Sequence, residues 1–188
     1  MPQRFITPLA WDRRAQVIAS LSQAQDGSLE YQVITVGAGG QPTRIVIGGT
    51  ALPSDVFITA SPDGVWAAGL WRSENVVRYW PIASFDARKE LRPAAGTGAG
   101  VPIWSPDSRG MAVVVAVPPT AQRLEIWNLD GSRRTLRDSF GQQGGLFFQP
   151  DGTVLYVGCC TAVDVATGHS VDIMLGQSER IRASVLIK

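Results

Sequence analysis

The sequence predicts an all-β fold: a propeller-like array of four four-stranded antiparallel blades, alone or within a larger ring. Three observations predict it. A proline–aspartate turn recurs as Ser61-Pro62-Asp63-Gly64, Ser105-Pro106-Asp107-Ser108 and Gln149-Pro150-Asp151-Gly152, each 44 residues after the last. A fixed period of about 40 to 50 residues marks an array of similar units. An apolar strand precedes each turn and another follows it, with no amphipathic helix of about ten residues or more anywhere in the chain.

The turns come first because their chemistry is local. Proline presets φ at the first central position, aspartate bonds nearby backbone N–H groups, and glycine accepts positive φ. The strands before them are Asp55 to Ala60, Val101 to Trp104 and Gly145 to Phe148. The second strands, Val65 to Trp71, Gly110 to Val117 and Thr153 to Cys159, are apolar almost throughout, as strands covered on both faces are. Third strands follow at Val76 to Ile82, Leu124 to Leu129 and Ala162 to Val165. A more polar fourth strand closes each unit, around Ala87 to Leu91, Arg133 to Leu136 and His169 to Met174, and polarity suits a sheet edge. Phe85 to Leu91 is also the longest helix candidate.

The N-terminal part fits as a degenerate first unit. Pro8-Leu9-Ala10-Trp11 aligns with Val101-Pro102-Ile103-Trp104, and Asp12-Arg13-Arg14 replaces the proline turn. Val17 to Leu21, Leu29 to Ile34 and Thr43 to Ile47 supply the remaining strands. The units therefore span about residues 8–48, 54–92, 100–137 and 144–175 of a single domain, leaving 176–188 as a spare strand or the start of a further blade. Phe5-Ile6 could close the last blade.

On these residues the chain resembles the bacterial TolB-type propeller repeat and, more loosely, the WD-repeat family. The Ser-Pro-Asp-Gly turn carries the first resemblance. Val77 to Ile82, Ile126 to Gly131 and Val163 to Gly168 look like the third-strand signature of the second. The Gly-His dipeptide of WD repeats is absent, so the match is to the TolB-like class. The resemblance implies a non-enzymatic scaffold that presents loops to a protein partner. A regulatory or gating propeller in front of an enzyme such as a peptidase, and a small-ligand or glycan-binding propeller, are the alternatives. Three ring solutions stay open: a fragment of a longer propeller, two copies forming one eight-bladed ring, or a small four-bladed ring.

Composition narrows the partners. Hydrophobic residues are 45% and charged residues 18% of 188, which describes a globular chain. A net charge of +1 gives no bulk attraction to nucleic acid or anionic lipid, and no stretch reaches the ~18 apolar residues of a membrane helix. Cys159 and Cys160 are adjacent, so on a strand they point to opposite faces. Two free thiols and no leader peptide favour the cytoplasm slightly, with the periplasm open.

No catalytic, cofactor or metal residue is predicted. Asp63, Asp107 and Asp151 should sit at equivalent ring corners, separated on the order of tens of ångströms or nearly so, whereas paired acid catalysis needs about 5–10 Å. His169, the single histidine, reads as a solvated turn residue. Gly96-Thr97-Gly98-Ala99-Gly100 leads into no helix and reads as a loop rather than a phosphate cradle. The candidate partner-binding residues are Trp66 and Trp71, which face opposite sides of one strand so that one could be exposed, and Arg13, Arg14 and Arg109 at equivalent turns.

Overall fold

A computed structural model describes residues 6–12, 17–23, 29–36, 42–45, 52, 55–138, 145–157 and 161–172. They form four antiparallel sheets in chain order. The first holds β1 (Ile6–Asp12), β2 (Val17–Gln23), β3 (Leu29–Val36) and β4 (Pro42–Ile45). The second holds β5 (Val56–Ala60), β6 (Trp66–Trp71), β7 (Val76–Pro81) and β8 (Lys89–Leu91). The third holds β9 (Gly98–Ala99), β10 (Ile103–Trp104), β11 (Gly110–Val117), β12 (Ala121–Asn128) and β13 (Arg133–Asp138). The fourth holds β14 (Leu146–Phe148), β15 (Val154–Val157), β16 (Thr161–Asp164) and β17 (Ser170–Asp172). Apart from β9, which pairs with β11, each strand pairs with its sequence neighbours in the sheet, which is the meander of a propeller blade.

The turns explain why the strands fold back where they do. Ser61 Oγ donates to Asp63 Oδ1 at 2.6 Å, and that oxygen also accepts from the Val65 N–H at 3.0 Å. Ser105, Asp107 and Arg109 repeat the pattern at 2.6 and 3.1 Å. Asp151 instead accepts from the Thr153 N–H and hydroxyl at 2.9 and 2.8 Å. Gly64 and Gly152 take φ of 74° and 76° at the same turn position, and Ser108 holds φ 59° there.

The sheets stack face to face, and each junction has its own core. Tyr31 of the first sheet packs with Val56, Ala67, Trp71, Val76 and Trp80 of the second, together with Ile82 and Phe85 beyond β7. Ala68, Leu70, Val77, Tyr79 and Leu91 of the second meet Trp104, Met111, Val113, Val115 and Trp127 of the third. Ala112, Leu124, Ile126 and Leu136 of the third meet Leu155, Val157 and Val163 of the fourth. Both faces of the second and third sheets are thus covered, which is why β6 and β11 read as unbroken apolar runs. The inner strands of the first three sheets meet: β5 touches both β1 and β10. Thr59 Oγ1 donates to Pro102 O at 3.3 Å, and Trp104 Nε1 to Thr59 O at 3.4 Å, between those inner strands.

Single side chains also tie sheet to sheet. The Tyr31 hydroxyl donates to Ile82 O at 3.0 Å, and burial pushes its pKa up to about 12. The Tyr79 hydroxyl donates to Leu129 O at 2.6 Å. Tyr79→Phe keeps the ring and orphans that carbonyl, so it is expected to cost about 1 kcal/mol in a denaturant titration.

Four expectations need correction. Ile6 belongs to β1, paired with Ser22, and is no spare strand for the last blade. Phe85 to Leu91 is neither one helix nor one strand: a 3-10 turn at Phe85–Ala87 buries Phe85, and β8 follows. Gly98–Ala99 is not only loop: it pairs with β11 beside β10, so the inner strand of the third sheet is broken in two. The aspartate turns are not far apart, because they converge where the inner strands of consecutive sheets meet. Residues 176–188 and the adjacent cysteines lie outside the described residues. Among the described residues no helix is long and apolar enough to cross a membrane.

Candidate partner-binding surface

The inner strands bring the repeated turns together at one end of the stack. The Asp63 N–H donates to Ser108 Oγ at 3.2 Å, so consecutive turns touch. Asp107 and Asp151 both line a cavity of about 270 Å³ with Pro106, Arg134, Phe148 and Val165. The sheets fan out from the axis, and their innermost turns are the least separated part. The carboxylates are nonetheless engaged by their own turns. The Ser105 hydroxyl, with the Arg109 N–H and charge, holds Asp107 below its ordinary 3.8, and Thr153 does the same to Asp151. Arg134, which lines this cavity, donates to Ala166 O at 2.7 Å and also to Val165 O, linking the third sheet to the fourth.

These depressed carboxyls set a pH dependence. Asp107, Asp130, Asp151 and Asp164 are all lowered, chiefly by bonds from Ser105, Ser132, Thr153 and Thr167. A lowered folded-state pKa contributes stability that is present above the unfolded value and lost as pH falls through the folded one. The melting temperature is therefore expected to hold from neutral pH to about pH 4 and to fall below it. Asp107→Asn should flatten part of that fall, read by comparing melts at neutral pH with melts about one unit below the ordinary aspartate value. An unchanged acid slope in the variant would contradict the assignment.

The opposite end is more open. A depression of about 390 Å³ is walled by Val101, Ile103, Val114, Ala116 and Leu146, with Gly98, Gly100 and Gly145 supplying bare backbone. Arg72 stands on its rim, with its guanidinium 4.6 Å from the centroid of the Phe57 ring. Phe57 is 45% exposed, which is uncommon for so large an apolar side chain. Asn75, at φ 52°, shapes the adjoining wall: its amide donates to Thr97 O at 2.7 Å, and its oxygen accepts from the Ala99 N–H at 2.8 Å. The result is an apolar well beside a stacked cation and aromatic ring, the two residue types that anchor protein interfaces.

The predicted residues fare unevenly. Trp66 and Trp71 do face opposite sides, but neither side is open solvent. Trp71 is 4% exposed, inside the core between the first and second sheets, with Arg78 over its ring at 4.7 Å. Trp66 is half-buried against Tyr79, ring centroids 6.0 Å apart. Arg109 is exposed at the turn end. Arg13 and Arg14 lie outside the described residues. His169 is exposed, and its N–H donates to Thr167 Oγ1 at 3.2 Å, as a turn residue should. Among the described residues no group of three or more metal-ligating side chains comes together.

Sequence reasoning missed Phe57 and Arg72. The only signal was an aromatic residue between two aliphatics on a short strand, which looks the same in a core. It also missed Glu125, 6% exposed, which accepts from Arg123 Nε and Trp127 Nε1, each at 2.6 Å. That trio holds the Trp127 ring within the core between the second and third sheets.

The fold is that of a β-propeller. No protein-family model and no curated protein matches the sequence. Among solved structures, the chain is similar to a protein assigned as TolB from Agrobacterium tumefaciens (TM-score 0.60, 15% identity, 92% of this chain and 63% of that one). It is similar to TolB from Acinetobacter baumannii (TM-score 0.55, 15% identity, 90% and 43%). It is also similar to a prolyl endopeptidase structure (TM-score 0.61, 13% identity, 92% and 30%). The chain thus spans less than two thirds of the length of each of these neighbours.

Proposed function

We propose that this chain is a non-enzymatic β-propeller scaffold that binds a protein partner. One observation carries the reading: at one end of the stack, Arg72 lines an apolar well of about 390 Å³ and stacks on the exposed ring of Phe57. An aromatic or aliphatic side chain of the partner fills the well. A carboxylate of the partner pairs with Arg72, whose guanidinium is held flat by the ring. Rigid sheets keep the loop cost of binding low. Arg109 and the half-buried Trp66 at the other end are the second contact surface proposed, with Arg13 and Arg14 at the equivalent turn. A gating propeller ahead of a catalytic domain has no observation of its own in its favour beyond the fold.

The test is affinity capture from a lysate of the source organism. Wild type is compared with Phe57→Ser/Arg72→Glu and, separately, with Arg109→Glu. A protein held by wild type and lost with the first variant supports the reading. Loss with Arg109→Glu alone moves the site to the turn end. Captured proteins that are the same with all three contradict it.

A further inference from the structure

A tyrosine bridges two of the junctions between sheets, and an arginine bridges the third. Ile82, Leu129 and Val165 are equivalent positions. Each N–H donates to the carbonyl of the residue that follows a Pro-Asp turn, namely Val65, Arg109 and Thr153, at 2.8, 3.2 and 2.8 Å. Their own carbonyls each receive a side chain from the preceding sheet. Tyr31 donates to Ile82 O, and Tyr79 donates to Leu129 O. Val165 O accepts from the Arg134 guanidinium instead.

The strand registers give the reason. Ala68, Tyr79 and Lys89 lie side by side in the second sheet, and Ala112, Ile126 and Arg134 in the third. Ile126 therefore stands where Tyr79 stands. Gly110 stands where Trp66 stands, because each carbonyl accepts from the N–H of the serine that opens its turn, at 2.9 and 2.8 Å. In the second sheet these two positions put a pair of packed rings, centroids 6.0 Å apart, against the third sheet. In the third sheet neither position carries a ring. The cavity of about 270 Å³ lies there, lined by Gly110 and Ile126 of the third sheet and by Phe148 and Val165 at the fourth. It occupies the place that aromatic rings fill one junction earlier.

We propose that this cavity binds a small neutral phenol, its ring standing where the Tyr79 ring stands one junction earlier and its hydroxyl donating to Val165 O. The size fits, since an apolar cavity of about 150 Å³ already takes benzene. The acceptor is free for a second bond, because a carbonyl oxygen has two lone pairs and the Arg134 guanidinium uses one. Ile126, Phe148 and Val165 give the ring apolar walls. Two carboxylates, Asp107 and Asp151, face one guanidinium, Arg134, on the lining, so an anionic phenol is disfavoured. The site lies at the turn end, away from the well lined by Arg72, and does not depend on a protein partner binding there.

The test is a titration of the isotope-labelled chain with p-cresol, followed by NMR. Saturable amide shifts are expected at Gly110, Asn128, Gly152 and Val165, with a Kd below about 1 mM. Nuclear Overhauser cross-peaks from the p-cresol ring protons to the Ile126 and Val165 methyls are expected in the wild type, and they place the ligand without any variant. Ile126→Tyr builds the missing ring into the protein, with folding verified by circular dichroism. It should weaken p-cresol binding at least about tenfold, and para-hydroxybenzoate should bind wild type at least about tenfold more weakly than p-cresol. No saturable shift at about 10 mM p-cresol, ten times the highest Kd expected, overturns the proposal. So do shifts and cross-peaks confined to other residues, or a folded Ile126→Tyr chain that binds p-cresol as wild type does. Equal binding of para-hydroxybenzoate and p-cresol overturns the preference for a neutral ligand.

Discussion

Trp127→Ala is expected to remove at least about 4 kcal/mol of stability. The indole is fully buried in the core between the second and third sheets. Truncating a buried tryptophan costs about 3–5 kcal/mol in lost contact and residual cavity. The change also withdraws the 2.6 Å bond to Glu125, a carboxylate 6% exposed, and the surface under the Arg133 guanidinium 4.4 Å above the ring. A domain of this size shifts by about 2–4 °C per kcal/mol, so the melting temperature should fall by about 8–16 °C. Trp127→Phe keeps most of the contact and should cost about half as much. A loss below about 1 kcal/mol for Trp127→Ala would mean that the two sheets are not held together here.

Gly168→Ala is expected to be the most damaging of the glycine substitutions at turns. Gly168 has φ 74°, and a Cβ there would sit well under 3.0 Å from the Leu136 carbonyl oxygen, a backbone atom of the adjacent sheet. The left-handed conformation costs about 1–2 kcal/mol for an L residue, and forcing the sheets apart adds about 1–3 more. The expected total is about 3 kcal/mol. Gly131 isolates the first contribution: it has φ 90° with nothing within 4 Å of an added methyl, so Gly131→Ala should cost only about 1–2 kcal/mol. Equal losses in the two variants would show that the fourth sheet does not press on the third at this point.

The architecture was legible because its signal is repeated. Three Pro-Asp turns 44 residues apart set the phase, and the apolar runs around them fell into strands within a few residues of β5 to β8 and β10 to β17. Two details escaped for local reasons. The peptide run from Phe85 to Leu91 has both helix and strand formers, and the burial of Phe85 under Trp80, ring centroids 5.1 Å apart, decides for a turn. The glycines of 96–100 hide a strand because Gly98 and Ala99 have almost no side chain to signal one, while their backbone still pairs with Val115 and Ala116.

The candidate surface was much less legible. Alternation along β6 places Trp66 and Trp71 on opposite faces, but in a stack of sheets the alternative to one core is a second core. Residue periodicity does not distinguish a neighbouring sheet from solvent. Phe57 shows the converse: it sits between buried Val56 and half-buried Ile58 with nothing in the local pattern to mark it as exposed. Exposure there follows from strand length and from where the adjoining sheet stops, which are properties of the assembled stack. The aspartate turns were misplaced for a related reason. Equal spacing along the chain says nothing about radius, and these turns lie near the axis, where consecutive blades converge.

The central claim is that successive sheets pack face to face around a common axis, each junction closed by its own aromatic and aliphatic core. Nuclear Overhauser contacts in the 20.2 kDa chain test it most directly. The account predicts cross-peaks from the Tyr31 ring to Trp80 and Phe85, whose centroids each lie 5.6 Å away, and from the Tyr79 ring to Leu129. Intact strand registers without those cross-peaks would contradict it, because the four sheets would then form without stacking.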